Sequence, residues 1–494
     1  MYPLGREIRP KRVGPWPYPK KQEKGRIDNF EEVQIRYPEA EAIDEANRCI
    51  LCPVPSCVRA CPVNSDVLGM MRHIQQGDFD GAWKRIRETN CLPASTARVC
   101  PQLGSLCEAN CVVGKRGDPV SIGMLQRFVS DWALEHNSYE EPKVESSSGK
   151  RVAIVGGGPA GLAAADLLIR YGHSATIFDA QNKLGGTAMY GIPNFHLPKD
   201  VLEFEIERLK KMGVEARTDI KVGSKISLEE IFDEGFDAII VATGAKDVTP
   251  FQVEGGDLKG AYDAYEFLIK LDRMEYYKNR KQKIPFKVGK HVLVVGGGDT
   301  AVDAARTSLR LGAKQVTMMY RRSEREITAY RFGLESAKEE GVKVEFLQVP
   351  IRFIGNERGW VKKAECVKMR LGEPDASGRA RPVPIDGSNF TIDVDTVFIA
   401  VGRGPNTSVQ KKERIKMEKW GGIIVDPETY ETSYPGVFAA GDVVTGETLL
   451  IKAMNQGRRA AQRVHEQLTH SKERLDLSQR YFTERYGRKA VQPM

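Results

Sequence analysis

The sequence has no apolar run long enough to span a bilayer, and it has no charged start followed by the apolar stretch of a secretory signal. A cytoplasmic protein with no membrane association is expected. Histidine is scarce, seven in 494 residues, and none is spaced as a metal pair or a triad requires. No catalytic side chain is nominated on that ground. Beyond residue 111 cysteine is nearly absent, and Cys366 stands alone. The other eight fall between Cys49 and Cys111. Without a secretory signal, such crowding points to metal ligation rather than disulfides.

An excess of either charge is missing from most of the chain. Residues 1–26 hold eight Lys and Arg against Glu7 and Glu23, which is six of the eight net positive charges. With five prolines, this segment reads as a basic extended arm, either a solvated tail or a docking arm for an acidic partner. The near-neutral remainder disfavours nucleic acid as a ligand. At 41% hydrophobic and 28% charged, 494 residues make a globular chain of two or three domains.

What is present is organised around Arg151–Asp179. Val152–Val155 reads as a buried parallel strand, followed by Gly156-x-Gly158-x-x-Gly161, a helix opening at Pro159 and Ala160, and a second strand, Ala175–Phe178. Asp179 ends that strand, 18 residues past Gly161. Gly156 permits a tight turn, Gly158 lets backbone approach a pyrophosphate, and Gly161 lets helix and strand pack closely. The helix N-terminus stabilises phosphate and the acid bonds a ribose hydroxyl. Gly185 and Gly186, just before Thr187, offer a second close approach.

The pattern recurs at His291–Arg322: strand, Gly296-x-Gly298-Asp299-Thr300-Ala301, helix, strand. Alanine serves in the third place because that residue need only be small. Here the strand ends in Arg321-Arg322 rather than an acid. Guanidiniums form charge-assisted bonds to a 2′-phosphate that a carboxylate would repel, which favours NADP(H). Asp299 is an acid close to the pyrophosphate turn.

Cys49-x-x-Cys52-x4-Cys57-x3-Cys61-Pro62 resembles iron–sulfur ligation; zinc sites more often use two distant pairs. Cys91, Cys100-Pro101 and Cys107-x3-Cys111 suggest a second cluster. Elsewhere, Val67–Thr89 reads as one helix, Tyr139–Lys150 as a polar linker, Arg273–Lys290 as a basic helical link, 343–406 as strands and hairpins, and Leu449–Gln467 as a helix.

Together the Cys-Pro motifs, the run GKRGDPVSIGMLQRF and the glycine-rich strand resemble one family over residues 27–470. It comprises the glutamate synthase small (β) subunit, the large subunit of NADH-dependent ferredoxin–NADP oxidoreductase, sulfide dehydrogenase α and the N-terminal half of dihydropyrimidine dehydrogenase. The resemblance implies an α/β fold with two Rossmann-like, doubly wound nucleotide domains, one inserted in the other, preceded by an α-helical iron–sulfur domain. The implied divisions are an arm at 1–26, the helical domain with two [4Fe–4S] clusters at 27–145, an FAD domain at 150–250 and 404–494, and an NADP(H) domain at 260–403. By motif match, Cys49, Cys52, Cys57 and Cys111 hold one cluster. Cys61, Cys100 and Cys107 hold the other with Gln126 as fourth ligand, and Cys91 lies outside the pattern. The YGIPxF…LPK match sets Ile192 and Phe195 beside the flavin, with His196 where relatives often carry Arg. Ala242, Thr243 and Gly244 form the chain crossing out of the FAD domain, Gly402 mirrors it on the return, and Gly441 and Asp442 meet the FAD ribityl or phosphate region.

The implied activity is that of an NAD(P)H-dependent oxidoreductase passing electrons from NADPH through FAD and two clusters to a second subunit of a hetero-oligomer. The partner is the glutamate synthase large subunit, or else a small flavoprotein or ferredoxin in a transhydrogenase or sulfide dehydrogenase type complex. The start, Met-Tyr-Pro, lacks the N-terminal cysteine of glutamine amidotransfer. A non-catalytic electron-transfer subunit is a further reading.

Overall fold

The computed structural model describes residues 19–470 except 103, 139, 249–250 and 376–377; most of the basic arm and the tail after 470 lie outside the described residues. Helices come first. Glu39–Ala46, Val67–Gln75, Phe79–Arg87, Pro93–Val99 and Ile122–His136 surround a core that includes Tyr37, Met71, Trp83 and Phe128. The single helix expected over Val67–Thr89 is two. Gly77 adopts φ +73°, and Asp78 caps the next helix by accepting from Gly81 N at 2.8 Å.

Two parallel five-stranded sheets follow. The first runs in the order Val437–Ala439, Ala238–Val241, Arg151–Val155, Ser174–Phe178, Glu215–Arg217. Its central strands read as unbroken apolar runs because helices cover both faces. Pro159–Arg170 lies against the last helix, Leu450–Thr469, at a separation that only glycine allows. A Cβ on Gly457 would stand 1.9 Å from Ala160 O. The second sheet runs Ala261–Asp263, Thr396–Ile399, His291–Val295, Gln315–Tyr320, Lys343–Phe346.

The chain leaves the first sheet after Val241 and returns at Val437, so the second unit is inserted in the first. The two crossings, Ala245–Val248 and Arg403–Pro405, pair antiparallel. An antiparallel sheet of Gln348–Gly355, Val361–Pro374, Ala380–Pro384 and Phe390–Asp393 packs on the second sheet, and Cys366 is a buried apolar member of that contact. The expected helical link ends early: Ala264–Arg273 is helical, and the chain from there to Lys290, which contains Asn279 and Pro285, is not.

Buried ions join the helical domain to the first unit. Arg87 pairs with Asp166 at 2.7 Å and Arg170 with Glu88 at 2.6 Å. Arg458 donates to Thr89 O at 2.9 Å. Glu205 accepts from Ala94 N and Ser95 N at 2.6 and 3.1 Å, closing the open N-terminus of helix Pro93–Val99. The described part of the arm binds this chain's own second unit: Lys20 and Arg26 reach Glu339 at 3.0 and 2.7 Å.

Candidate functional site

The first glycine turn has no room for side chains. Gly156 adopts φ +111°, and a Cβ there would stand 2.4 Å from Ala242 O; one on Gly161 would stand 2.0 Å from Gly156 O. Gly186, at φ +55°, brings its backbone against Gly158 in the same way. Asp179 is oriented by the backbone, accepting from Gly157 N at 2.6 Å and Gln181 N at 2.7 Å. Thr243 Oγ1 and Asp442 Oδ1 are buried on the cleft wall with no hydrogen-bond partner in the protein. Burial, and then the Glu447 carboxylate, push the Asp442 acid up to about 7. A bare backbone floor, an oriented carboxylate and two orphaned polar atoms fit a group that brings its own phosphates and hydroxyls, as FAD does.

In the second turn Gly296 is equally constrained, a Cβ falling 2.3 Å from Ala400 O. Asp299 faces a loop: its Oδ1 accepts from Tyr330 N at 2.7 Å, and burial raises its pKa. Of the two arginines expected to read a 2′-phosphate, Arg322 is committed elsewhere. It is buried, paired with Asp375 at 2.5 Å, and donates to Ala380 O at 3.0 Å. Arg321, the residue before it, is exposed at the end of the strand.

Between the turns lies an open cleft. Gly156, Gly158, Pro159, Ala160, Asp179, Gly186, Thr187, Ile192, Ala242, Thr243, Gly244 and Asp442 line it from the first unit, and Asp299 and Thr300 from the second. Gly161, Gly185 and Gly441 shape the wall from behind, while Gly296, Gly298 and Ala301 belong to the turn outside it. Phe195 does not reach the cleft. It is 1% exposed, packed against Phe30 and under the guanidiniums of Arg306 and Arg310, so the expectation that it flanks the flavin is corrected. Gly402 sits at the chain crossing near Glu447.

The structure adds Tyr265 and Val99 as cleft residues that no motif marked, and His196 from within the YGIPxF…LPK match. Tyr265 bonds Thr187 Oγ1 at 2.8 Å and stacks beneath Arg403. His196 Nδ1 lies 3.3 Å from Asp303 Oδ1. Burial opposes charge on this imidazole, but Asp303 prevails and its pKa is raised. Val99, from the helical domain, also lines the cleft, and the next residue in the chain is Cys100.

The thiols fall into two groups. Cys49, Cys52, Cys57 and Cys111 line one apolar cavity with Val67 and Met71. Cys100 lies close enough to Cys61 to feel its charge, and Cys107 to Glu108, Cys61, Cys100 and Cys57, after burial has raised both pKa values. Burial likewise pushes Cys49 up to about 11 and raises Cys52, Cys57 and Cys61. Among the described residues no three His, Cys, Asp or Glu close tightly enough on one point to hold a single ion. Cys49, Cys52, Cys57 and Cys111 instead stand around a volume, a layout that fits a cubane, which meets each thiolate at a different iron. Gln126 Nε2 donates to Pro93 O and Thr96 Oγ1 at 2.7 and 2.9 Å, which ties it to the helix that leads into Cys100. Cys91 is buried in the core shared with the first unit.

A cleft lined from both glycine turns and by the residue before Cys100 is the arrangement of a flavin- and pyridine-nucleotide-dependent oxidoreductase with an iron–sulfur domain. Residues 150–457 match the model of the pyridine nucleotide-disulphide oxidoreductases, and the chain belongs to that family. Residues 26–138 match dihydropyrimidine dehydrogenase domain II, 4Fe–4S cluster. The protein is an oxidoreductase that binds FAD and NADP(H) and carries a [4Fe–4S] domain. It is 36% identical to the Escherichia coli glutamate synthase [NADPH] small chain, over 90% of this chain and 95% of that one. It is 37% identical to the E. coli putative oxidoreductase AegA, over 88% of this chain and 67% of that one. It is also 37% identical to the NADP(+)-dependent formate dehydrogenase subunit beta of Moorella thermoacetica, over 82% and 59%. Mycobacterium tuberculosis FprA, solved in complex with NADPH, shares the fold at a TM-score of 0.54 and 17% identity, over 67% of this chain and 88% of that chain. No helix among the described residues is long and apolar enough to cross a membrane.

Proposed function

We propose that this chain is the NADPH-oxidising subunit of a hetero-oligomeric enzyme of the glutamate synthase small-chain type, and that it delivers electrons through two [4Fe–4S] clusters to a partner. In this reading residues 27–145 hold the clusters, 150–250 and 404–494 hold FAD, and 260–403 hold NADP(H). The observation that carries it is the single cleft lined from both glycine turns and by Val99, with a thiol on the adjacent residue. FAD, when bound, supplies the exchange between a hydride and single electrons. The chain supplies position: the first turn fixes one dinucleotide, Arg321 and the second turn admit the other, and both reacting ends are brought to one cleft. In this reading the cluster held by Cys61, Cys100 and Cys107, next to Val99, is the one nearer the cleft. Beside Cys52, Ile50 and Val54 stand 55% and 48% exposed, and this is where a partner would receive electrons.

Anaerobic titration with NADPH tests the assignment. Flavin absorbance bleaches, cluster absorbance follows, and iron and acid-labile sulfide come to about eight each per chain for two cubanes. An unbleached flavin at saturating NADPH would support a non-catalytic subunit instead. The partner's identity follows from weighing the native complex: a large amidotransferase chain marks glutamate synthase, a small flavoprotein marks a transhydrogenase.

A further inference from the structure

Tyr330 lies at the one place where the second glycine turn, the cleft and a thiol group converge. Its loop is bolted to the turn by three backbone donors. Gly297 O accepts from Thr328 N and Ala329 N at 3.1 and 3.0 Å, and Asp299 Oδ1 accepts from Tyr330 N at 2.7 Å. The side chain lines the cleft and crosses to the helical domain, where its hydroxyl donates to Gln102 Oε1 at 3.2 Å. Gln102 is fixed within the thiol loop: its N–H donates to Cys100 O at 2.9 Å, its carbonyl accepts from Ala109 N at 3.1 Å, and its Nε2 donates to Ala97 O at 3.3 Å. A continuous chain of bonds therefore runs from Asp299 to the backbone of Cys100. It also accounts for the acid in the glycine turn, which sets the loop and does not need to meet phosphate.

We infer that Tyr330 is a positioning residue: through its hydroxyl the second nucleotide turn and the Cys61/Cys100/Cys107 group are held as one unit, so that nucleotide bound at the turn is felt at those thiols. This rests on the reading that the turn takes NADP(H) and the thiols a cluster. The coupling has a physical origin. A pyrophosphate arriving at Gly296–Asp299 repels the Asp299 carboxylate, and the bond that carboxylate makes is the one that sets Tyr330.

The test uses the full-length protein as purified, reduced with excess dithionite and then titrated with NADPH, which takes no electrons from it. The readouts are the cluster's EPR spectrum and hydrogen exchange in the segment containing Gln102. In the wild type, NADPH shifts the spectrum and slows exchange around Gln102. In Tyr330→Phe both responses vanish, while the NADPH affinity moves by no more than about threefold, the scale of one neutral hydrogen bond. Gln102→Glu, which keeps an acceptor for the hydroxyl, retains both responses, and Gln102→Met loses them. Equal responses in wild type and Tyr330→Phe, or none in the wild type, overturn the inference while the functional reading stands. A preparation with no iron, or one that does not bind NADPH, overturns both.

Discussion

In the first glycine turn the third small residue is Gly161; in the second it is Ala301, fully buried. A methyl at the first position would stand 2.0 Å from Gly156 O, whereas the second accommodates one. The helices behind the turns differ in a corresponding way. Pro159–Arg170 is tied to the helical domain through Asp166 and Arg170, pairing with Arg87 and Glu88. Asp299–Arg310 has its strongest ties within its own unit, Arg306 and Arg310 both reaching Glu340 at 2.7 Å, and meets the first unit through Asp303 at His196 and the two guanidiniums over Phe195. The first turn is thus built into the body that carries the thiols, as suits a resident prosthetic group. The second sits on a self-contained unit that meets the rest through a few bonds, as suits a nucleotide that comes and goes.

The sharpest way to break this contrast is Gly161→Ala. It is expected to abolish flavin retention, with the flavin absorbance per chain falling at least about tenfold, because the added atom must displace backbone. Full retention would mean the tight packing is incidental. Next in size is Glu340→Gln, which unpairs two buried guanidiniums. Burial raises the Glu340 pKa, but Arg306 and Arg310 overcome it and hold it at about 2. Against an unfolded value near 4.5, that depression contributes about 3 kcal/mol. The stability is present in full above the unfolded pKa and is lost as pH falls through the folded one. Denaturant titrations at pH 6 and pH 3 should show a steeper loss in wild type than in the variant, and parallel curves would remove Glu340 from the account. A smaller effect separates the two arginines. Arg321→Ala should weaken NADPH about tenfold while leaving NADH nearly unchanged, the loss of one charge-assisted contact. Arg322→Ala should lower the melting temperature with little discrimination between the nucleotides. Similar loss of NADPH in both would return Arg322 to the phosphate site. The smallest is Ala301→Gly, costing about 1 kcal/mol of helix stability with NADPH affinity intact in a fluorescence titration.

The glycine turns and their flanking strands were legible in the sequence because each depends on neighbours within about twenty residues; the exit and return of the chain came from likeness to a family. Val152–Val155 reads as buried, and Gly156 as a turn, from local rules alone. The grouping of Cys111 with Cys49, Cys52 and Cys57 was not legible from spacing; it came from likeness to a family, since the cavity closes only when distant helices pack. Arg322 and Phe195 were misplaced for the same reason. Asp375, 53 residues on, captures Arg322, and Phe30 with Arg310 buries Phe195. The Tyr330–Gln102 bond spans 228 residues and has no periodicity or motif to announce it. The break at Gly77 had a signal, Gln-Gly-Asp in mid-run, that amphipathic spacing on both sides concealed.

Glu205 and Arg458 have a consequence for how the molecule is made. The helix that ends at Cys100 takes its N-terminal cap from residue 205, and Thr89 takes its buried donor from a residue 369 positions downstream. At roughly 5–20 residues per second, translation puts about 20–70 s between the emergence of Thr89 and that of Arg458. The cysteines therefore leave the ribosome well before the scaffold that shapes them, and iron delivery to the group behind Val99 belongs after Arg458 has emerged. A nascent chain halted in that interval exposes reactive thiols to oxidant.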